Sequence, residues 1–440
     1  AGNPRVAGAM ADRGAYEYQG GGKVPTIVLT FKDGTQNATI GVGGATGYEF
    51  TIDWGNGEEI TYSSASYHSH ALTGNTVKIY GSEIQVLQAQ ESDILSADVS
   101  NAPALTRIML GGNGMTSLTL GNHPSLTGIY AGANKLTSIN VAGCPALRVL
   151  SVEENLIDGS IDCSAMAQLS KVDISNNKVQ ELILPNHSTL YEVACAYNEL
   201  TQLDVAGRSG LAELTAHNNQ IHQIDLSGLT SLESIYLGEN GLESIDISGA
   251  PSLETLQLAG NNLTAIDLSH NTALTGIYLF DNNLQSLDLT RNTAASWVNI
   301  SNNQIADIDL TKCSRLSLFI ASGNRLSQLN LKNNPSVVRL ELDNNMLTSI
   351  DVSRQTSLSQ FYVRNNLLTS LDLSKNGYLY WLRCAGNNIA TLDLSKNTYL
   401  QFLDAAGNNL TTLDLSKQTG LQGLFLEDNN MDADAINSIM

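Results

Sequence analysis

The chain has 440 residues, of which 15% are charged, and 43 acidic side chains outnumber 23 basic ones to give a formal net charge of −20. This charge repels nucleic-acid phosphates and anionic membranes, which argues against a nucleic-acid partner. No apolar stretch is long enough to cross a bilayer, so direct membrane insertion is not expected.

The first segment, residues 1–23, ends in a run of glycines and is predicted to be a tail or linker. Its sequence, NPR followed by DRGAYEYQ, resembles the closing turn of bacterial right-handed parallel β-helix domains. That resemblance implies such a domain upstream. The start at Ala1, without an initiator Met, also favours a piece of a longer protein.

Residues 24–83 alternate apolar and polar side chains between glycine-rich turns, which predicts a small antiparallel, sandwich-like β domain. The turn from Asp53 to Gly57 resembles the W-G-D-G signature of PKD-type modules, with Asn56 in place of the usual Asp. A glycine-rich hairpin is expected there in preference to a calcium loop. His68 and His70 are expected to be exposed strand residues, because no third metal ligand lies nearby.

From residue 84 to 431 the sequence repeats the template L-x-x-L-x-L-x-x-N-x-L-x-x-L-D-L-S about every 21 residues, after a degenerate first copy with Ser92 at the asparagine position. The L-x-L core predicts a short strand, and stacked copies predict a long parallel sheet. The asparagine is expected to satisfy buried backbone groups at the turn after each strand. It recurs at Asn113, Asn134, Asn155, Asn177, Asn198, Asn219, Asn240, Asn261, Asn282, Asn303, Asn324, Asn345, Asn366, Asn387, Asn408 and Asn429.

These repeats resemble the leucine-rich repeats of bacterial surface proteins of the internalin J type, whose strands can carry a ladder of cysteines. Here Cys195 and Cys384 occupy that strand position. The resemblance implies a solenoid, placed in the α/β class by convention but mainly β. It has a parallel sheet on its concave face, short strands or extended coil on its convex face, and little helix. It also implies binding or adhesion at the cell surface or outside the cell.

An aspartate recurs on the opposite wall at Asp204, Asp225, Asp246, Asp267, Asp288, Asp309, Asp351, Asp372, Asp393 and Asp414, with Asn330 interrupting the column. The preferred interpretation is that each carboxylate caps the next turn, because one carboxylate per turn supplies too few oxygens for calcium. The alternative is a cation ladder. Residues 432–440 are predicted to form a short C-terminal cap helix that begins at Asp432.

The template identifies the residues that point outward on the sheet, and in the second half of the repeats these mix aromatic rings with charges. Such a mixture is typical of interaction hot spots, although aromatic residues also suit strands for structural reasons. The predicted ligand-binding residues are Tyr278, Phe280, Trp297, Leu318, Ile320, Arg339, Glu341, Tyr362, Arg364, Trp381, Arg383, Phe402, Asp404 and Phe425, and Asp343 lies beside them. In that structural alternative, Trp381 would stack on Phe402 and Arg383 would pair with Asp404; the binding interpretation is preferred because the aromatic residues are concentrated in one half of the face.

The sequence therefore predicts a non-enzymatic, monomeric binding protein that holds a protein partner, from a host or a bacterial surface, on its concave face. A glycan-binding module and a passive spacer are the alternatives. No cofactor and no metal are expected, because the five cysteines lack C-x-x-C spacing and the histidines are dispersed over different repeats. His217 is expected on the concave side of the sheet beside Glu192 and Glu213, but no nucleophile is expected near it.

Overall fold

The computed structural model describes residues 23–45, 47–63 and 65–435. The chain divides into two compact units between Val179 and Gln180. The repeats of both units are built from the same short turn, in which a strand, a tight bend and a second extended wall enclose a leucine-rich core. Residues 1–22, which carry the β-helix resemblance, lie outside the described residues.

The strands of the first unit are short, apart from the second. They are β1 (Ile27–Phe31), β2 (Asn37–Gly44), β3 (Phe50–Asp53), β4 (Glu59–Tyr62), β5 (Ser66–Ala71), β6 (Thr76–Tyr80), β7 (Ile84–Gln88), β8 (Ile94–Asp98), β9 (Arg107–Met109), β10 (Ser117–Thr119), β11 (Gly128–Tyr130), β12 (Val149–Ser151), β13 (Asp158–Asp162) and β14 (Lys171–Asp173). Strand β15 (Lys178–Ile183) crosses the division between the units.

The strands before residue 84 pair with both walls of the first repeat turn. On one wall, β1 runs antiparallel to β8, with Val28 opposite Asp98. On the other, β2 runs antiparallel to β7, with Gly41 opposite Gln88. Strand β7 then starts the parallel series β7, β9, β11. The N-terminal strands therefore cover strand edges that an uncapped solenoid would leave open to aggregation.

The loop between β3 and β4 is a hairpin, because Asp53 lies opposite Glu59 in an antiparallel pair. The Asp53 carboxylate accepts backbone hydrogen bonds from Gly55 and Gly57, both at 2.9 Å. Both glycines have positive φ, and a side chain on Gly55 would meet the backbone of Gly74 at 2.8 Å. The carboxylate shapes the hairpin, and the PKD resemblance stays a prediction.

The prediction of an exposed His68 is wrong. Its side chain is buried at 8% exposure, with its ring 4.1 Å from that of Tyr62 and 5.4 Å from that of Phe50. His70 stacks on Trp54 at 5.3 Å. Antiparallel pairing brings aromatic rings from other segments of the domain against these histidines. The alternation of apolar and polar residues within one strand does not predict such contacts.

The strands of the second unit are three residues long, and their middle residue is fully or largely buried except in the last. They are β16 (Glu192–Ala194), β17 (Glu213–Thr215), β18 (Ser234–Tyr236), β19 (Thr255–Gln257), β20 (Gly276–Tyr278), β21 (Trp297–Asn299), β22 (Leu318–Ile320), β23 (Arg339–Glu341), β24 (Gln360–Tyr362), β25 (Trp381–Arg383), β26 (Phe402–Asp404) and β27 (Gly423–Phe425). Neighbours pair in parallel without slipping, so equivalent residues form columns. We call the side that carries the first and third residues of each strand the outer sheet face.

Each repeat asparagine joins its own turn to the preceding one. The Asn303 amide donates to the carbonyls of Leu279, Ile300 and Ser301 at 2.9, 3.0 and 3.1 Å. Its oxygen accepts the backbone N–H of Leu284 at 2.9 Å. The residue before it, Asn302, has φ of 53°, and Gly386 has φ of 66° in the same place. The turn thus requires one residue in the left-handed backbone conformation, followed by an asparagine whose side-chain amide makes these hydrogen bonds.

A second ladder of amides, which was not predicted from the sequence, lies on the other side of the core. Asn376 is fully buried, and its amide donates to the carbonyls of Val352 and Gln355 in the preceding turn at 3.0 and 2.9 Å. The ladder comprises Asn271, Asn292, Asn334, Gln355, Asn376, Asn397 and Gln418. Its 21-residue recurrence was the available signal. Leu229 and Ala250 hold the same place in earlier turns, so the amide is not obligatory there.

The opposite wall of the second unit is extended coil from residue 184 onward, with no strand among the described residues there. Each aspartate of the column accepts a hydrogen bond from the backbone N–H two residues later, for example Asp372 from Ser374 at 2.9 Å. Asn330 makes the same bond to Lys332 at 3.1 Å. The side chain therefore caps the turn, and an amide can replace the carboxylate.

We expect this column to make the protein acid-labile. Hydrogen bonds from the backbone and hydroxyl of Ser374 hold the pKa of Asp372 below its ordinary value of 3.8, and the same cause acts at Asp246, Asp267 and Asp288. Because the pKa is lower in the folded state, the stabilisation is present above 3.8 and is lost as the pH falls through the folded pKa. Urea midpoints should therefore drop between neutral pH and about pH 3.

The matched control replaces Asp246, Asp267 and Asp288 with Asn, which keeps the acceptor and removes the titration. This triple variant should lose less of its urea midpoint on acidification than the parent chain. An equal loss in both would show that other groups cause the acid lability.

At the C-terminal end, residues 433–435 are helical. The Asp432 carboxylate accepts the backbone N–H of Ala435 at 2.8 Å, as an N-cap does. The rest of the predicted cap helix, including Ile436, Ile439 and Met440, lies outside the described residues.

Candidate interaction surface

The predicted aromatic residues of β24 to β26 meet on the outer sheet face. The Trp381 and Phe402 rings stack with centroids 4.5 Å apart and an interplanar angle of 23°. Tyr362 meets Trp381 edge-on at 6.2 Å. In-register parallel pairing causes this contact, because it sets Gln360, Trp381 and Phe402 side by side.

Tyr362 is only 8% exposed, although the template places it on the outer face. The guanidinium of Arg383 lies over its ring, with the carbon 4.9 Å from the centroid. Burial raises the pKa of its hydroxyl. Tyr362 is therefore too buried to contact a ligand directly in this structure. Its ring lies beneath the guanidinium of Arg383 and supports it.

The ion pairs differ from those of the structural alternative. Asp343 is 7% exposed and accepts from both the backbone N–H of Arg364, at 2.7 Å, and its Nε, at 2.9 Å. Asp404 lies 3.8 Å from Nη1 of Arg364. The pair between Arg383 and Asp404 that the structural alternative requires is absent among the described residues, because Arg383 turns toward the preceding strand and lies over the rings of Tyr362 and Trp381.

These side chains border a hollow of about 470 Å³ on the outer sheet face. Trp381 and Phe402 supply apolar surface, and Phe425, 53% exposed, extends it. Arg364, Arg383, Asp404 and Glu427 supply charge. The hollow thus combines large aromatic surface with guanidinium groups, the composition found at binding hot spots.

The remaining predicted residues do not border this hollow. Trp297 is 53% exposed on β21, while Leu318 and Ile320 are half-buried on β22 and Tyr278 and Phe280 on and beside β20. Arg339 and Glu341 on β23 form an ion pair with each other. The structure therefore divides the predicted surface into a hollow over β24 to β27 and a separate group of apolar side chains over β20 to β22.

No protein-family model and no curated protein matches the sequence. The functional domain of InlJ from Listeria monocytogenes, which includes a cysteine ladder, has a similar structure, with a TM-score of 0.65 and 24% identity over 75% of this chain and 69% of that one. A leucine-rich-repeat protein from Leptospira interrogans matches with a TM-score of 0.63 and 20% identity over 78% of this chain and 88% of that one. The plant peptide hormone receptor RGFR1, in complex with RGF2, matches with a TM-score of 0.53 and 20% identity over 79% and 70%.

The chain has the leucine-rich-repeat fold. The predicted fold class, including its resemblance to internalins, is therefore confirmed. In this leucine-rich-repeat protein the five cysteines are buried, and none of them is in a disulfide. Burial raises the pKa of Cys384 to about 12, so its thiol acts as an apolar core group.

Three exposed tyrosines of the leucine-rich repeats lie just before β25 and β26 and were not predicted from the template. Tyr378 and Tyr399, 67% and 65% exposed, stack with centroids 6.2 Å apart just before β25 and β26. Tyr380 lies 6.1 Å from Phe402 and 6.5 Å from Trp381. The signal was the 21-residue step from Tyr378 to Tyr399. Only the packing shows that Tyr380 adjoins Trp381 and Phe402.

Across residues 23–435, with gaps at 46 and 64, no group of three or more His, Cys, Asp or Glu side chains could hold a metal ion. In the same part of the chain, no helix has the length and apolar character needed to cross a membrane.

Proposed function

We propose that this chain is a non-enzymatic binding protein, located at a bacterial cell surface or secreted, that holds a protein partner on the outer sheet face of its second unit. The observation that carries the proposal is the hollow in which Trp381 and Phe402 stack beside Arg383. Aromatic and arginine side chains dominate the energetics of protein interfaces. RGFR1, a peptide hormone receptor in complex with RGF2, offers a precedent for a peptide ligand on this fold.

The exposed tyrosines support the same proposal. Tyr380 contacts both Trp381 and Phe402, and the stacked pair of Tyr378 and Tyr399 lies just before the same two strands. Exposed aromatic side chains near a hollow are typical of interaction sites. A macromolecular partner in the hollow could also contact Tyr380.

Flat exposed rings also stack on sugars, and Trp297 on β21 stands apart from the hollow. A glycan ligand is therefore the second candidate, and the experiment must separate the two. The third interpretation, a passive spacer, predicts no ligand on this face.

The test is a binding screen of the purified full chain against matrix and cell-surface proteins, in parallel with a glycan array. A Trp381→Ala, Phe402→Ala double variant should bind a protein hit about a hundredfold more weakly, because it removes two central aromatic anchors. Its urea midpoint should change little, since both side chains lie outside the core and are only half-buried.

Tyr191→Ala is the matched control, because Tyr191 is 56% exposed in the same unit but does not border the hollow. It should leave the affinity unchanged. A protein hit that both variants bind normally would disprove the proposed site. Hits on glycans alone would favour the sugar-binding alternative. No binding in either the protein screen or the glycan array would favour the spacer.

A further inference from the structure

Arg383 differs from the other arginines of the outer sheet face in its partners. Arg339 pairs with Glu341, and Arg364 pairs with Asp343 and lies near Asp404. Among the described residues, the guanidinium of Arg383 has no carboxylate within ion-pair distance. Its neighbours are the rings of Tyr362 and Trp381, at 4.9 and 5.1 Å from its central carbon.

The packing explains why Arg383 stays unpaired. Asp404 lies directly opposite it in the strand register, but the Asp404 carboxylate approaches Arg364. The aromatic rings hold the guanidinium by cation–π contact, which leaves its N–H donors unused. A guanidinium that is already held in place loses less freedom when it binds a ligand.

One guanidinium at the hollow has no carboxylate partner among the described residues. The charges of Arg364 and Arg383 are balanced by those of Asp404 and Glu427, and Arg364 is the arginine that the carboxylates approach, so the positive charge next to Trp381 and Phe402 is that of Arg383 alone. The chain as a whole carries a net charge of −20, which opposes anionic ligands elsewhere on its surface. A planar carboxylate matches the fork of N–H donors on one guanidinium.

We infer that Arg383 binds a carboxylate of an extended acidic segment of the protein partner. An apolar or aromatic residue close to that acid in the segment lies against Trp381 and Phe402. The inference rests on the proposed function and specifies its ligand: a linear sequence in which an aspartate or glutamate adjoins an apolar residue.

The experiment selects random linear peptides, displayed on phage, against the immobilised full chain. The strongest binder is then synthesised with its acidic residue intact and with that residue changed to the corresponding amide. Affinities of both peptides are measured for the parent chain and for Arg383→Gln, Arg383→Lys and Trp381→Ala. Arg354→Gln is the matched control, because Arg354 is exposed in a turn away from the hollow.

We expect the selected peptides to be enriched in aspartate or glutamate beside apolar residues. Arg383→Gln should weaken the acidic peptide about tenfold, the scale of a charge-assisted hydrogen bond, and should leave the amide peptide unaffected. Arg383→Lys should give an intermediate loss, because it keeps the charge without the fork. Arg354→Gln should bind like the parent.

Two failures can be told apart. Peptides that lose binding in Trp381→Ala but bind Arg383→Gln normally, or that tolerate the acid-to-amide change, would overturn the carboxylate inference and leave the proposed site standing. Peptides indifferent to both variants would count against the proposed site and against this inference with it. A selection that yields no peptide would overturn the inference of a linear acidic segment, while the protein screen still tests the proposed site.

Discussion

Replacing Asn303 with Leu should lower the free energy of unfolding by about 2–4 kcal/mol. The side chain is 7% exposed, and its oxygen is the acceptor of the Leu284 N–H. Losing that acceptor leaves a buried donor unpaired, which costs about 1–3 kcal/mol. The three carbonyls that Asn303 serves each keep another donor, such as the Asn282 amide at Leu279, and therefore add less.

Urea unfolding followed by circular dichroism gives the stability change, and hydrogen exchange at the Leu284 amide shows whether the opening is local. Local opening is expected because repeat turns contact only their neighbours. Asn302→Gly is the control, since Asn302 is exposed and has φ of 53°, a conformation that glycine adopts without steric strain. It should shift stability by less than about 0.5 kcal/mol. Equal losses in both variants would refute the role assigned to the buried amide.

Phe319→Ala should destabilise the second unit by about 3–5 kcal/mol, the usual cost of emptying a fully buried aromatic site. Phe319 is 0% exposed at the centre of β22, between Val298 and Leu340 of the neighbouring strands. Most other turns have a smaller aliphatic residue in this column, so the core around Phe319 is shaped for a larger group. Because β22 is hydrogen-bonded to β21 and β23 on its two sides, it cannot move inward to fill the cavity that alanine would leave.

Phe319→Leu should cost much less, about 1–1.5 kcal/mol, because leucine fills the same column in β23. The measurement is the urea midpoint of each variant, with Leu318→Ala as the control on the half-buried outer position of the same strand. An alanine variant at 319 no less stable than the one at 318 would show that the middle column does not carry the core.

The sequence was sufficient for the periodic part of this protein. A 21-residue repeat can bury its leucines only by stacking, so the period alone determined the parallel sheet, the inward and outward columns and the place of the turn asparagine. The recurring aspartates likewise identified the turns that they cap, because that hydrogen bond reaches only two residues along the chain.

The tertiary structure decided what the outward residues do. A template states that Tyr362 and Arg383 leave the sheet on the same side, but only the packing shows the guanidinium over the buried ring. Register brings Arg383 opposite Asp404, yet the carboxylate approaches Arg364, because long side chains reach across more than one strand. The burial of His68 and the meeting of Tyr380 with Phe402 also depend on contacts between distant or flexible groups, which no local period specifies.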